Sequence, residues 1–197
     1  MSARKKASLL DRRKVVAQIL ASRGDALVVT GLGAPTWDAA AAGDCALNFY
    51  TWGGMGCAAM VGLGLALAQP KRRVIVITGD GEMLMALGAL ATIAAQQPRN
   101  LSIVVMDNEH YGETGMQVTH TGLGTDIAGM AKAAGFRATQ TVYTMAELKT
   151  WIPKIYGAGP VFVDAKVITE RAALVLPARD GTVLKLRFRE ALLGKNA

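Results

Sequence analysis

Cysteine is scarce in this chain of 197 residues, which contains only Cys45 and Cys57. Two cysteines without metal-ligand spacing exclude a disulfide framework and argue against a cysteine-bound metal. No apolar run reaches the roughly 18 residues that a membrane span requires. The N-terminus is basic but lacks the continuous apolar core and the cleavage site of a secretory signal. We therefore expect a cytoplasmic protein without membrane attachment.

Aromatic residues are also few, at 6% of the chain, and 15 acidic residues stand against 22 basic ones. The formal charge of +7 is compatible with nucleic-acid binding. However, no basic stripe is interleaved with aromatic residues, and six basic residues fall within positions 4–14, as on a solvated helix face. We expect no nucleic-acid partner. An acidic partner subunit or an anionic substrate accounts for the charge at least as well.

Hydrophobic residues make up 51% of the chain, and apolar strand-like runs alternate regularly with helix-length segments. Such alternation predicts an α/β fold, a doubly wound and mostly parallel sheet with helices on both faces. The length fits a single domain, 1–197. The predicted helices are 8–22, one opening at 53–56 and ending near 69–70, 82–97, about 126–134, 145–155 and 184–193. The predicted strands are 26–30, 47–50, 74–78, 101–106, 137–142 and 160–166.

Oxygen-bearing side chains follow two of the predicted strands. Gly79-Asp80-Gly81 comes after the run 74–77, and Asn108 comes after the run 101–106. In an open parallel sheet these strand ends line the crevice where ligands bind. An Asp and an Asn beside a glycine turn and a helix N-terminus suit a phosphate group that carries Mg²⁺.

A Gly-Asp-Gly triplet followed at this distance by an Asn resembles the diphosphate-binding signature of thiamine diphosphate (ThDP) enzymes. The resemblance implies that the side chains of Asp80 and Asn108 and the backbone carbonyl of His110 bind the metal. It also implies that Gly79 and Gly81 let the backbone approach the diphosphate. Glu82 would begin the helix whose N–H groups face that group.

The segment Tyr50–Gly56 carries a second resemblance, to ThDP-dependent decarboxylases and acetolactate synthase-like enzymes. In those enzymes a bulky apolar residue between glycines wedges beneath the cofactor and forces its bent conformation. Met55, between Gly54 and Gly56, has that position here. Met55 as a core filler at a glycine-rich helix start is the alternative. Gly31, after the first strand, is a weaker candidate for contact with the cofactor.

The polar loop 109–122 is long enough to be functional. Its pattern Tyr-Gly-x-Thr-Gly-x-Gln-x-Thr-His-Thr-Gly resembles the β subunit of sulfopyruvate decarboxylase and, more loosely, phosphonopyruvate decarboxylase. The resemblance implies that the loop, with Tyr111 and Gly112, closes over the diphosphate and borders the substrate. His120 is a candidate for anion binding or proton transfer, although an exposed loop histidine is the commoner case.

Three arginines, Arg171, Arg179 and Arg187, are candidates for holding a sulfonate or phosphonate. Glu113 is a candidate for proton transfer, although a solvated loop carboxylate is the commoner case. A surface role is the default for each arginine.

The resemblance covers only the diphosphate-binding half of a ThDP enzyme. It implies a separate pyrimidine-binding α subunit, which supplies the glutamate that activates the cofactor, in an α₂β₂ or larger assembly. The implied function is the β subunit of a split ThDP- and Mg²⁺-dependent 2-oxoacid decarboxylase, active only with its partner, on a small anionic substrate such as 3-sulfopyruvate. An acetolactate synthase-like carboligase subunit and a non-catalytic ThDP- or phosphate-binding module are the alternatives. A 2-oxoacid:ferredoxin oxidoreductase would normally bring more cysteines.

Overall fold

Valine- and isoleucine-rich runs form the centre of a parallel sheet in the computed structural model, which describes residues 9–170 and 172–194. In chain order the elements are α1 (Arg12–Leu20), β1 (Leu27–Thr30), α2 (Ala34–Ala41), β2 (Asn48–Tyr50), α3 (Ala58–Ala68), β3 (Val74–Gly79), α4 (Asp80–Met85), α5 (Gly88–Gln96), β4 (Leu101–Asp107), β5 (His110–Tyr111), β6 (Gln117–Val118), α6 (Ile127–Ala134), β7 (Ala138–Val142), α7 (Met145–Ile155), β8 (Val161–Lys166) and α8 (Gly181–Leu193).

Six strands pair in the order β2-β1-β3-β4-β8-β7, and every pair is parallel. The strand order reverses direction between β1 and β3, which is where ligands bind in open sheets of this kind. Strands β5 and β6 form a separate antiparallel pair beyond the carboxyl end of β4. The predicted α/β class with a mostly parallel sheet is confirmed.

Helices cover both faces of the sheet. Alternate strand residues face opposite sides, so Val28 and Ile75 pack in one core with residues of α1, α2 and α7, whereas Val29 and Val76 pack in the other with residues of α3, α5 and α6. β-branched residues suit strands that are buried on both faces. Two buried layers therefore hold the ends of β1, β3 and β4 in fixed positions.

Several predicted boundaries are wrong, each for a local reason. The segment 34–41 forms a helix that was not predicted. Pro35 does not interrupt it, because it stands in the first turn, where a proline is tolerated. The predicted helix 82–97 is two helices, α4 and α5, that meet around Ala86, whose backbone is not helical. Helix α1 begins after the capping side chain of Asp11, and α8 begins after that of Asp180.

Two further starts differ from the predictions. The helix predicted to open at 53–56 begins at Ala58, because residues 51–57 form turns. Residue 8, the predicted start of the first helix, lies outside the described residues. Across 9–170 and 172–194, none of the helices combines the length and the apolar character that a bilayer crossing would require.

Candidate functional site

A cleft of about 150 Å³ lies at the carboxyl ends of β1, β3 and β4, at the point where the strand order reverses. Most of the site residues predicted from sequence line it. These are Met55, Gly79, Asp80, Gly81, Glu82, Asn108, His110, Tyr111 and Gly112. The topology thus brings together residues from the glycine triplet, from the turn after β4, from the segment 50–56 that contains Met55 (the wedge segment) and from the start of the polar loop.

Asp80 is a buried carboxylate of the cleft, with only 2% of its surface exposed. Its Oδ2 accepts a hydrogen bond from Thr119 Oγ1 at 2.5 Å and lies 3.1 Å from Thr121 Oγ1. Burial and, after it, the negative charge of Asp107 raise the pKa of Asp80 to about 6, although the two hydroxyls lower it. The two threonines come from the polar loop, so this loop reaches back to the end of β3.

Asn108 and His110 form a tight turn directly after β4. Asn108 Oδ1 accepts a hydrogen bond from the backbone N–H of His110 at 2.9 Å, and His110 Nδ1 lies 2.9 Å from the Asn108 carbonyl oxygen. One residue earlier, Asp107 Oδ1 accepts from the backbone N–H of Glu109 at 2.9 Å. These contacts fix the direction in which the chain leaves the sheet and keep Asn108 and His110 at the cleft.

Glu82 joins three parts of the site through its carboxylate. Oε2 accepts from the backbone N–H of Leu32 at 3.1 Å, and Oε1 lies 3.4 Å from that of Ala58. Burial raises the pKa of Glu82. A Cβ at Gly31 would collide with this carboxylate, and Gly31 does not line the cleft. The packing of Glu82 therefore accounts for glycine at 31 without a cofactor contact.

Met55 lines the cleft, whereas its glycine neighbours do not. Gly54 is close-packed, because a Cβ there would lie 2.5 Å from Cys57 Sγ. Gly56 has φ of +86°, a left-handed conformation that favours glycine. The two glycines thus shape the turn that presents Met55.

The cleft has space for a bound group at two glycines. A Cβ at Gly79 or at Gly112 would meet no atom within 4 Å, and neither residue has a positive φ. By contrast, a Cβ at Gly81 would lie 2.7 Å from the Tyr111 ring, which packs on that glycine. The packing of the chain therefore explains the glycine at 81 but leaves open space at 79 and 112.

The polar groups of the cleft suit Mg²⁺. A carboxylate, an amide oxygen and backbone carbonyls are hard oxygen donors, and Mg²⁺ in phosphate sites binds through one or two carboxylates plus phosphate oxygens. Within the described ranges, no three His, Cys, Asp or Glu side chains form a group that could hold an ion by themselves. The residues present therefore fit a metal held jointly with a phosphate ligand.

His120 does not reach the cleft. It is exposed and lines a different cavity of about 330 Å³, together with Met85, Tyr111 and Met130. Its carbonyl oxygen accepts from the backbone N–H groups of Leu123 and Thr125. The polar loop therefore contributes the neighbouring threonines, not this histidine, to the surroundings of Asp80.

Two of the predicted arginines, Arg179 and Arg187, also lie outside the cleft. Arg179 stacks 5.9 Å from the Trp52 ring, Arg187 pairs with Asp44 at 2.7 Å, and Arg171 lies outside the described residues. The guanidinium that does line the cleft belongs to Arg12, which pairs with the buried Asp38 at 2.7 Å. No sequence pattern indicated this role, because Arg12 lies in a basic run that is typical of a solvated helix face.

A buried charged cluster behind the cleft was also missed. Lys166 Nζ lies 2.6 Å from Asp107 Oδ2 and 3.2 Å from Glu109 Oε1. Asp164, 2% exposed, lies beside them, and burial followed by the charge of Asp107 raises its pKa well above the usual range. A possible signal was the alternation of Asp164 and Lys166 with apolar residues in a buried strand.

This combination of a parallel sheet, a glycine-lined cleft and hard oxygen donors defines a class of cofactor-binding domain. The family model for the thiamine pyrophosphate enzyme, C-terminal TPP binding domain, matches residues 33–165, where TPP is another name for ThDP. The chain belongs to this family.

Among its relatives are two archaeal proteins of nearly the same length. The chain is 36% identical to the sulfopyruvate decarboxylase subunit beta of Methanothermobacter thermautotrophicus, over 94% of this chain and 97% of that one. It is 40% identical to the subunit of the same name in Methanocaldococcus jannaschii, over 92% and 96% of the two chains. The chain is thus a homologue of these β subunits from end to end.

The fold matches that of a larger solved enzyme. A thiamine diphosphate-dependent 4-hydroxybenzoylformate decarboxylase from Rhodococcus jostii superposes with a TM-score of 0.70 at 21% identity. The match covers 84% of this chain but 34% of the other, so this chain spans about a third of that enzyme. At this identity the match is evidence for the fold alone.

Proposed function

We propose that the chain is the diphosphate-binding β subunit of a ThDP- and Mg²⁺-dependent 2-oxoacid decarboxylase that acts on a small anionic substrate such as 3-sulfopyruvate. The observation that carries this proposal is the cleft in which Asp80, Asn108 and the open glycines Gly79 and Gly112 meet. End-to-end similarity to two sulfopyruvate decarboxylase β subunits supports the same function.

In this proposal Asp80, Asn108 and the His110 carbonyl hold Mg²⁺, and Gly79 and Gly112 give space to the diphosphate. ThDP, when bound, supplies the nucleophilic carbon and the electron sink that 2-oxoacid decarboxylation requires. Met55 shapes the bound cofactor from within the cleft. Glu82 keeps the wedge segment and the glycine triplet in register, because its carboxylate contacts both the β1 turn and the start of α3.

The substrate's second anionic group is proposed to interact with Arg12. Arg12 lines the cleft, and it shares the buried carboxylate of Asp38 with Arg13. Two guanidinium groups on one carboxylate leave an excess positive charge at this end of the cleft. Glu113 lines the same cleft, so the electrostatic potential is positive near Arg12 and negative near Glu113. The anionic group is therefore proposed to bind on the Arg12 side. Arg12 takes the role that the sequence suggested for Arg179 and Arg187, which lie outside the cleft.

The partner in the proposal is a pyrimidine-binding α subunit, in an α₂β₂ or larger assembly, and the described chain acts as one diphosphate-binding domain. Support comes from the β-subunit relatives of equal length and from the larger enzyme, of which this chain spans about a third. The proposed compartment is the cytoplasm, since both cysteines are free thiols, as a reducing compartment would keep them.

The test is calorimetric titration of ThDP in the presence of Mg²⁺, first with this chain and then with the chain and its cognate α subunit. We expect binding to strengthen with the partner, and the complex to release CO₂ from 3-sulfopyruvate. ThDP binding without CO₂ release would instead favour a non-catalytic module. Carboligation of 2-oxoacids without net aldehyde release would favour the acetolactate synthase-like alternative.

Two variants test the site itself. Asp80→Ala and Asn108→Ala are expected to abolish Mg²⁺-dependent ThDP binding while the circular dichroism spectrum stays unchanged. Wild-type affinity in both variants would show that the assignment of the metal site is wrong.

A further inference from the structure

Two hydroxyls of the polar loop contact the same oxygen of Asp80, the proposed metal-binding carboxylate. Thr119 Oγ1 lies 2.5 Å and Thr121 Oγ1 lies 3.1 Å from Asp80 Oδ2, and the two hydroxyls are 2.9 Å apart. No side chain in the described ranges donates to Asp80 Oδ1. The two carboxylate oxygens are therefore inequivalent, with Oδ2 held by the protein and Oδ1 left for a ligand.

Thr121 is in turn anchored to the end of β4. Its Oγ1 lies 2.8 Å from Asp107 Oδ1, and Asp107 Oδ2 lies 2.6 Å from Lys166 Nζ. Asp107 and Lys166 are direct neighbours in the pairing of β4 with β8. The chain of contacts therefore runs from the sheet, through a hydroxyl of the polar loop, to Asp80.

Proton counting shows how these contacts divide. The two hydroxyls carry two protons, yet they make four contacts with oxygen atoms: two to Asp80, one to Asp107 and one to each other. The two shortest contacts, Thr119 to Asp80 and Thr121 to Asp107, take one proton each. The Thr121 proton is shared between Asp107 at 2.8 Å and Asp80 at 3.1 Å and lies mainly towards Asp107, so Thr119 is the stronger of the two donors to Asp80.

Solvent does not compete for these bonds. Thr119 and Asp107 are fully buried, and Thr121 and Lys166 are 5% and 7% exposed. A buried polar group that loses its partner destabilises the folded state, because water cannot replace the lost hydrogen bond. The network therefore holds its members in one arrangement.

We propose that Thr119 and Thr121 are positioning residues for the metal: they fix the rotation of the Asp80 carboxylate so that Oδ1 faces the cation, with Asp107 and Lys166 as the anchor. The inference rests on the proposed function, because it assumes that Asp80 binds Mg²⁺. Hydrogen-bonded partners of ligating carboxylates typically contribute about 10–100-fold to metal affinity. The polar loop thereby contributes to metal binding through its far end as well as to the cleft through Tyr111 and Gly112.

The experiment uses the full chain in complex with its partner subunit and substitutes each of the two threonines in turn. Thr119→Val and Thr121→Val keep the side-chain shape and remove the hydroxyl, whereas Thr119→Ser and Thr121→Ser keep the hydroxyl. Ser102→Ala is the matched control, because Ser102 is a buried hydroxyl on β4 that bonds the Ile155 carbonyl, away from the cleft. The quantity measured is the metal concentration that gives half-maximal ThDP binding, with Mg²⁺ and separately with Ca²⁺.

We expect each valine variant to raise the Mg²⁺ concentration at half-maximal binding by about 10–100-fold. The serine variants and Ser102→Ala are expected to stay near wild type. Because Mg²⁺ demands near-ideal octahedral geometry and Ca²⁺ accepts flexible coordination, the Ca²⁺ value is expected to change less. If a valine variant does not fold, alanine at the same position carries the same comparison with serine.

Two results would overturn the inference. One is a wild-type Mg²⁺ requirement in the valine variants. The other is the result that a packing defect would give: a metal requirement that rises equally in the serine and valine variants, or equally for Mg²⁺ and Ca²⁺. Asp80→Ala separates the two levels. If Asp80→Ala keeps Mg²⁺-dependent binding, the proposed metal site fails; if it abolishes binding while the valine variants do not weaken it, only the positioning role fails.

Discussion

The glycine at 79 has no reason in the chain's own packing, since a Cβ there would meet no atom within 4 Å and its backbone is extended, with φ of −95°. We expect Gly79→Ala to fold normally and to weaken ThDP binding by about tenfold, or about 1.4 kcal/mol, because the methyl group takes space from the diphosphate. Calorimetry measures the effect. Gly64→Ala, in α3 and equally open, is the control. Unchanged affinity in Gly79→Ala would mean that the diphosphate does not approach this residue.

Arg12 and Arg13 share one buried carboxylate but differ in their access to the cleft. Both guanidinium groups contact Asp38, at 2.7 and 3.2 Å, and of the two only Arg12 lines the cleft. We expect Arg12→Met to raise the KM for 3-sulfopyruvate by about 10–100-fold, since hydrogen bonds to charged groups contribute about 1.5–3 kcal/mol. Arg13→Met is expected to lower stability without this KM effect. Equal increases in both variants would attribute the change to the loss of support for Asp38.

At the level of elements, helix α3 approaches the sheet closely at Gly62 but not at Gly64. A Cβ at Gly62 would collide with the Val76 side chain on β3, whereas a Cβ at Gly64 would meet nothing within 4 Å. We expect Gly62→Ala to reduce the free energy of unfolding by about 1–3 kcal/mol through overpacking. Gly64→Ala is expected to be neutral or to stabilise by up to about 1 kcal/mol. Urea denaturation compares the two, and equal stabilities would contradict this close approach of α3 to the sheet.

The sequence predicts those elements whose signals are local. The strands at 74–78 and 101–106 are confirmed with one extra residue each, Gly79 and Asp107, because buried parallel strands read as unbroken apolar runs. Helix 145–155 matches in full, since Thr144 and Glu147 form a capping box at its start. Helix α2 was missed because Gly33 and Pro35 resemble a loop until their positions at its N-terminus are known.

The candidate site divides in the same way. Gly79, Asp80 and Asn108 were predicted because they stand at the ends of two apolar runs, in a spacing that resembles the ThDP signature, and all three line the cleft. Arg12, which lies 68 positions before Asp80, reaches the site through the packing of helix α1. Lys166, which lies 59 positions after Asp107, reaches it through the pairing of β8 with β4. Both contacts depend on the whole topology, so no local pattern predicts them. His120 shows the converse: a local pattern made it a candidate for anion binding or proton transfer, with an exposed position as the commoner case, and the structure has it exposed at another cavity.

For the molecule as a whole, the proposed site joins three strand ends, the wedge segment and the polar loop, so a ligand bound there opposes unfolding of all of them together. A ligand that binds only the folded state at 100 times its Kd adds about 2.7 kcal/mol to the free energy of unfolding. For a chain of this size that corresponds to a rise in Tm of roughly 5–10 °C. The measurement is thermal unfolding of the chain with its partner subunit. We expect the rise in Tm when ThDP and Mg²⁺ are both present and not with either alone. The reason is that the diphosphate and the Asp80 carboxylate repel each other without a cation between them. EDTA should reverse it, and Asp80→Ala should not show it. An equal rise with ThDP in EDTA would mean that the cofactor is held without the metal, and the roles of Asp80 and Asn108 would have to be reassigned.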